Sequence, residues 1–175
     1  KKKMALFFGR LNVTKGPDKF VLAAHELLKT RNDIDFVLVG PDEGMKDQVQ
    51  KLISDEKRIH LLNPIQDRKK VVEMYQAADV FVLPSFREGL PLTLFEAMAS
   101  GLPMVVSPVN GVPYEVKEKE NGLFVKYGDI LSLSGGIARL LDDKELADNM
   151  SKLNVSQAKN YTWDDIFRRT VELYK

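Results

Sequence analysis

The sequence predicts an α/β protein built on a doubly wound parallel sheet of about six strands, with helices on both faces. Six short runs (residues 4–8, 36–39, 58–62, 80–83, 104–106 and 123–125) are mostly apolar and show little polar alternation, as strands do when both faces of their sheet are covered. Between most of them lie stretches whose apolar residues recur at helical spacing, the alternation that defines parallel α/β architectures. With 175 residues, 44% of them hydrophobic, the chain suits one domain with a sizeable core.

The elements follow in order. Residues 4–8 form the first strand, and Phe20, Ala23, Ala24, Leu27 and Leu28 mark one face of the helix after it. Pro17 suits the first helical turn, where its missing amide hydrogen would be unpaired anyway, and Gly16 is the cap. A second strand ends at Gly40-Pro41 and leads to a polar helix presenting Val49, Leu52 and Ile53. The third unit pairs residues 58–62 with a helix through Val71, Val72, Met74 and Tyr75. The fourth pairs residues 80–83 with a helix over residues 92–98 that starts at Pro91 and stops at Gly101. Two more strands precede a helix marked by Leu133, Ile137, Leu140 and Leu141, which Gly135-Gly136 should weaken by roughly 1 kcal/mol per glycine. Trp163, Ile166, Phe167, Thr170, Val171 and Tyr174 define a strongly amphipathic last helix that must dock on something.

Composition removes several classes of function. Zero cysteines exclude disulfide scaffolds, thiolate metal sites and cysteine nucleophiles, and they fit a reducing compartment. Two scattered histidines, His25 and His60, make an imidazole zinc site improbable. The 26 basic residues against 25 acidic ones give a net charge of +1, which argues against a nucleic-acid partner; the one basic run, Lys1-Lys2-Lys3, reads as solvated. No stretch reaches the ~18 apolar residues of a membrane span, and residues 1–9 are too short for a signal peptide, so a cytoplasmic domain is expected.

In an open parallel sheet, ligands bind outside the carboxyl ends of the strands. After the first strand, Gly9-Arg10-Leu11-Asn12-Val13-Thr14-Lys15-Gly16 places two cations in a loop leading to a helix N-terminus, where free N–H groups and the helix dipole favour an anion such as a diphosphate. Alone, the loop reads more readily as two solvated cations, Arg10 and Lys15. It is no P-loop, since Lys15 precedes Gly16 instead of Ser or Thr, and no G-x-G-x-x-G occurs. After the fourth strand, Glu88 lies ahead of a helix and Glu96 inside it. On a continuous helix eight residues span about 12 Å, which suits opposite ends of an extended ligand better than a glycosidase acid/base pair. Glu96 has neighbours that are apolar nearly all round, so the helix should be largely buried and the carboxylate should need a partner, a role a ribose diol would fill.

These residues resemble the retaining nucleotide-sugar glycosyltransferases of the large group 1 type (glycosyltransferase family 4 type), which have the two-domain GT-B architecture of Rossmann-like units. One carrier is Pro84-Ser85-x-x-Glu88-Gly89-Leu90-Pro91-x-x-x-x-Glu96-Ala97-Met98-Ala99-x-Gly101-x-Pro103; the other is Gly9-Arg10-Leu11 followed by Lys15-Gly16. Ala77-Ala78-Asp79-Val80, Gly111-Val112-Pro113-Tyr114-Glu115-Val116 and Asn121-Gly122-Leu123 extend the resemblance over essentially the whole chain.

The resemblance implies that residues 1–175 are the carboxyl-terminal, donor-binding domain, with a nucleoside-diphosphate sugar as donor substrate. Catalytic roles would fall to Arg10 and Lys15, which grip the diphosphate and stabilise the leaving group, and to Glu88, which binds the transferred sugar. Gly9 and the backbone of Gly89, Leu90 and Pro91 would approach sugar and phosphates, Glu96 would take the ribose hydroxyls, and Asn63, Pro64 and Ile65 would recognise the base through their backbone. No cofactor and no metal are expected. Asn63 stands where many relatives have glycine, and the turn over residues 40–44 lacks a second nearby glycine common in the family.

The family's amino-terminal domain, which supplies the acceptor site, would be absent from this chain. The expected partners are therefore that domain and a glycan or lipid-linked acceptor, with membrane association only through the absent domain. The 175 residues alone would be inactive, and the apolar face around Trp163, Phe167 and Tyr174 would be partly exposed. Two alternatives share the diphosphate site or the fold: a nucleotide-sugar epimerase, separable by product analysis, and a non-catalytic nucleotide-binding module such as a receiver-like domain, which would want an acidic cluster where this chain has Arg10 and Lys15.

Overall fold

A computed structural model describes residues 2–174; the side chains of Trp163, Ile166 and Arg169 lie outside the described residues, as does Lys1. Six strands form one parallel sheet: β1 (Lys3–Phe8), β2 (Ile34–Val39), β3 (Ile59–Leu62), β4 (Val80–Leu83), β5 (Met104–Val106) and β6 (Leu123–Phe124). The spatial order is β3-β2-β1-β4-β5-β6, so the chain reverses its direction of travel across the sheet between β1 and β4. That reversal opens a crevice at the carboxyl ends of β1 and β4, the place where doubly wound sheets bind ligands.

The uninterrupted apolar strands are explained by two cores. Ala5, Phe7, Phe36, Leu38, Val80, Val82 and Val105 face one side, against α1 (Pro17–Leu28), α2 (Lys46–Ile53) and α6 (Ile130–Asp142). Their chain neighbours Leu6, Val37, Val39, Phe81, Leu83, Met104 and Val106 face the other, against α3 (Arg68–Ala77) and α4 (Leu92–Ala99). Alternate residues thus bury on opposite faces, and every position in β4 and β5 is apolar because neither face meets water.

The first helix starts as expected, with Pro17 in its first turn and Gly16 as its cap in the left-handed region at φ 68°. Gly136 costs α6 helix propensity but has a use: a Cβ there would lie 3.2 Å from a Val105 methyl, so the glycine lets α6 settle closely on β5.

Four features depart from the sequence expectations. Residues 144–158 form a helix, α7 (Lys144–Ala158), which no periodicity had marked, and a single turn, α5 (Val112–Glu115), precedes β6. α7 buries only Met150 and Asn154; the Asn154 amide donates to the carbonyls of Leu102 (2.8 Å) and Asn121 (3.0 Å), tying α7 to the chain ahead of β5 and β6. The α4 helix is buried on one side only, with Leu92, Glu96 and Ala99 exposed, which corrects the expectation of a largely buried helix. Lys2 and Lys3 are not simply solvated, since they pair with Asp35 (3.1 Å) and Asp79 (3.3 Å).

A short 3₁₀ turn, Lys159–Tyr161, leads to α8 (Trp163–Glu172). Phe167 on this helix and Tyr174 just beyond it are 72% and 88% exposed, as expected for these two side chains; the expectation for the Trp163 side chain falls outside the described residues. No helix among the described residues is long and apolar enough to cross a membrane.

Candidate functional site

The β1–α1 loop and the β4–α4 loop meet over the crevice. Their backbones are joined where the amide of Phe86 donates to the Thr14 carbonyl (2.8 Å). Gly16 makes the approach close: a Cβ on it would sit 2.2 Å from the Pro84 carbonyl oxygen. Between the loops lies a cleft of about 290 Å³ lined by Arg10, Thr14, Lys15, Arg87, Glu88, Gly89 and Asn110.

At its base is a buried ion pair. Lys15 Nζ lies 2.5 Å from Glu88 Oε2, and the two side chains are 12% and 3% exposed. Burying two charges is costly unless they are paired and their remaining atoms are hydrogen-bonded. Here the other carboxylate oxygen, Glu88 Oε1, accepts from the fully buried Ser85 hydroxyl at 2.6 Å. Asn12 fixes the loop on the lysine side, its Oδ1 accepting from the Lys15 amide (3.1 Å) and the Thr14 hydroxyl (2.8 Å).

Arg10 stands at the rim, half exposed, with one guanidinium nitrogen 3.1 Å from Glu43 Oε1. Asn12 donates to the other oxygen of Glu43 at 2.6 Å; with Arg10 it holds the Glu43 carboxyl below the usual range. Asp42, on the same turn, accepts from the amides of Lys46, Gly44 and Met45, which likewise hold its carboxyl low. Asp42 therefore orders the turn that leads into α2, whose N-cap position is Met45, and these three bonds do so without a second glycine in the left-handed part of the loop.

The structure brings Arg10, Lys15, Glu88 and Gly89 together around one cleft. Gly9 follows β1, its amide donating to the Val39 carbonyl (2.9 Å). Leu90 is half exposed beside the cleft and Pro91 caps α4. Asn63 and Pro64 line a second cavity, about 260 Å³, with Leu11, Gly40, Asp42 and Lys46. Ile65 instead joins an apolar groove with Met4, Val37, Leu62 and Met74 on the α3 side. Glu96 lies on α4 outside the cleft and accepts from the Tyr75 hydroxyl at 2.8 Å, so its partner in the protein is a phenol from α3. The first turn of α1 is not among the cleft residues, and it carries Asp18 paired with Lys19 at 2.9 Å.

Three cleft residues were not singled out from the sequence. Thr14 and Arg87 fall inside the loops that carry the signal, where nothing but their neighbours marks them. Asn110 had a signal of its own: Asn-Gly is a turn dipeptide, and Asn110 adopts φ 48°, a left-handed conformation that asparagine tolerates better than most residues. Its Oδ1 lies 3.4 Å from the Glu88 amide nitrogen. Among the described residues no group of three or more His, Asp or Glu is gathered to hold a metal ion.

Replacing Ser85 by alanine should cost about 1–2 kcal/mol of stability, because it leaves a buried carboxylate oxygen without its donor. Chemical denaturation measures this, and a loss below about 0.5 kcal/mol would show that the hydroxyl does not hold Glu88.

Comparison with known proteins adds three findings. The family model described as Glycosyl transferases group 1 matches residues 1–155. A D-inositol 3-phosphate glycosyltransferase of Corynebacterium diphtheriae is 33% identical over 169 residues, covering 92% of this chain and 39% of its own, and an Escherichia coli UDP-Gal:alpha-D-GlcNAc-diphosphoundecaprenol alpha-1,3-galactosyltransferase is 38% identical over 143 residues, covering 79% and 36%. The crystal structure of the C-terminal domain of a group 1 glycosyl transferase from Francisella tularensis superposes with a TM-score of 0.82 at 24% identity, covering 92% of this chain and 86% of that one. The chain spans about two fifths of the length of the curated relatives it matches.

Proposed function

The chain belongs to the group 1 glycosyl transferases, and from that premise we propose that it is the donor-binding part of an enzyme that transfers a sugar from a nucleoside diphosphate to a hydroxyl acceptor with retention. The observation that carries the proposal is the buried Lys15–Glu88 pair at the reversal point of the sheet, in a cleft that Arg10 and Arg87 also line.

Lys15 and Arg10 bind the diphosphate and stabilise the charge that grows on it as the bond from the anomeric carbon to the phosphate oxygen breaks. Glu88, locked by Ser85 and Lys15, accepts from hydroxyls of the sugar. The new bond forms from the acceptor oxygen to the anomeric carbon, and the acceptor proton passes to a phosphate oxygen of the donor, so no protein nucleophile is required. Positioning and electrostatics supply the acceleration. No metal or cofactor takes part in this scheme, since the cations carry the charge.

Glu96 takes the ribose hydroxyls, and Asn63 and Pro64 border the place for the base. The diphosphate donor named for the E. coli relative makes UDP the first nucleotide to try. The acceptor site, a glycan or lipid-linked hydroxyl, belongs to an amino-terminal domain, and the exposed apolar side of α8 is where the two parts would meet. The length of the relatives supports that division.

Calorimetric titration with UDP, GDP and ADP, repeated on Lys15→Ala and Glu96→Ala, tests the reading. Binding that selects one base and weakens at least tenfold in Lys15→Ala supports it. Undiminished binding in Lys15→Ala would remove the lysine from the diphosphate site, and product analysis of the full-length enzyme separates transfer from epimerisation.

A further inference from the structure

Tyr75 is among the largest fully buried side chains of the protein, 1% exposed, yet its hydroxyl reaches an exposed carboxylate. The phenol stands in the core on the α3–α4 side of the sheet. Phe8 stacks on it with ring centroids 5.0 Å apart and planes 29° apart, and Phe81 lies tilted at 6.0 Å. Rings from β1 and β4 therefore set where the oxygen of Tyr75 sits, and that oxygen donates to Glu96 Oε2 across the gap from α3 to α4 at 2.8 Å.

We infer that Tyr75 is a positioning residue for the nucleotide ribose, fixing the Glu96 carboxylate in the orientation from which it takes the ribose hydroxyls. The inference rests on the ribose role given to Glu96 above. An exposed glutamate ordinarily samples several rotamers, and ordering it on binding costs affinity. A donor rooted in the core removes that cost in advance. The partner is also of the right chemistry. A lysine or arginine would neutralise the carboxylate and compete for both of its oxygens, whereas a neutral phenol holds Oε2 and leaves the negative charge in place. Among the described residues Glu96 Oε1 has no hydrogen-bond partner, so it stays available to a diol. Burial first, then the nearby Glu96 charge, pushes the Tyr75 phenol far above its usual range, so it remains a donor at any working pH.

The alternative is that Glu96 merely satisfies a buried hydroxyl. Titration of the full chain with UDP and with 2′,3′-dideoxy-UDP, on the parent, Tyr75→Phe and Glu96→Gln, separates the two; if GDP or ADP is the nucleotide bound, its dideoxy form is used instead. Tyr75→Phe should weaken UDP roughly five- to tenfold, the worth of one ordinary hydrogen bond, since the bond positions Glu96 and does not itself touch the nucleotide. It should change dideoxy-UDP binding less than twofold and keep the parent's melting temperature to within a few degrees. Equal weakening of both nucleotides, or of neither, would leave Tyr75 a core residue only and overturn the inference.

Failure of the underlying reading looks different. If the parent does not discriminate UDP from its dideoxy form, and Glu96→Gln binds UDP as the parent does, Glu96 is not the ribose residue. Parent discrimination that is lost in Glu96→Gln and kept in Tyr75→Phe overturns the role of Tyr75 alone. Absence of any nucleotide binding removes the donor reading and this inference together. Should Tyr75→Phe not fold, ¹³Cζ-labelled tyrosine in the parent answers the question: the most alkali-resistant tyrosine signal should move on addition of UDP and stay in place with dideoxy-UDP, and a signal unmoved by UDP overturns the role.

Discussion

Replacing Glu88 by alanine is expected to lower the melting temperature by roughly 6–12 °C and, in the full-length enzyme, to abolish the proposed sugar transfer. Removing one partner of a buried pair costs about 3–5 kcal/mol, because the remaining charge stays in a medium that solvates it poorly. Lys15 is 12% exposed and retains some contact with water, so the lower end, about 3 kcal/mol, applies. For a domain of this size that corresponds to ~2–4 °C per kcal/mol. The signature that separates this account from simple loss of packing is ligand dependence. Pyrophosphate offers Lys15 a new counter-charge, so at equal concentration it should raise the melting temperature of Glu88→Ala more than that of the parent. A variant as stable as the parent, with no extra response to pyrophosphate, would show that the lysine charge does not depend on Glu88.

Gly16→Ala should be at least as damaging to stability, for a steric reason. The residue sits at φ 68°, and its Cβ would lie 2.2 Å from the Pro84 carbonyl oxygen, a backbone atom that cannot rotate out of the way. The left-handed conformation alone costs roughly 1–2 kcal/mol for a non-glycine residue. The overlap must then be relieved by moving the β1–α1 loop off the β4–α4 loop, which breaks the Phe86–Thr14 backbone bond and opens the cleft. A total near 4 kcal/mol is expected from urea denaturation, with nucleotide affinity lost in parallel. Gly128→Ala is the control, since Gly128 also has positive φ (83°) but nothing within 4 Å of its would-be Cβ. It should cost only the conformational part. Equal losses at the two positions would show that the contact with Pro84 is unimportant.

Much of this was legible in the chain itself, for reasons that differ by element. Strands covered by helices on both faces are apolar throughout, as β4 and β5 are, and even β3, with His60 and Leu62 exposed, kept enough apolar residues to be found within a few residues of its ends. Pro17 and Gly16 marked the start of α1 because one lacks an amide hydrogen and the other can take the left-handed cap. α7 was silent for a physical reason as well. Of its 15 residues only Met150 and Asn154 are buried, and the second of these is polar, so the apolar stripe is too thin to read; hydrogen bonds from the Asn154 and Gln157 amides to backbone carbonyls share in its docking.

The site was legible as loops but not as contacts. Arg10, Lys15 and Glu88 stood out by charge and by position after apolar runs, yet the bond between Lys15 and Glu88 joins residues 73 positions apart. Only the β1–β4 neighbourhood of the sheet makes them partners. The Ser85 hydroxyl looked like any residue of the motif, because its burial depends on the packing of both loops. The sequence reading of Glu96 failed at burial: a run of leucine, phenylalanine, alanine and methionine suggested a helix enclosed on all sides, whereas α4 keeps Leu92 and Ala99 in water beside it. An exposed carboxylate has no need of a protein partner, so that argument fails with its premise; the buried group that needs one is the Tyr75 hydroxyl, which donates to Glu96.

The seam between β1 and β4 also governs the order in which the molecule takes shape. β1 matches β2 at six register positions after a short excursion of chain, but matches β4 at only two, Ala5 with Val80 and Leu6 with Phe81, after some seventy residues of intervening polypeptide. Bringing such distant segments together carries the larger loop-closure penalty and is compensated only once both neighbours are in place. The β1–β2 pairing is therefore the more local of the two, while the cleft exists only after β4 has joined β1. A chain in which β4 has not docked on β1 has no cleft, so any ligand that fits the cleft would bind the completed fold alone and stabilise it.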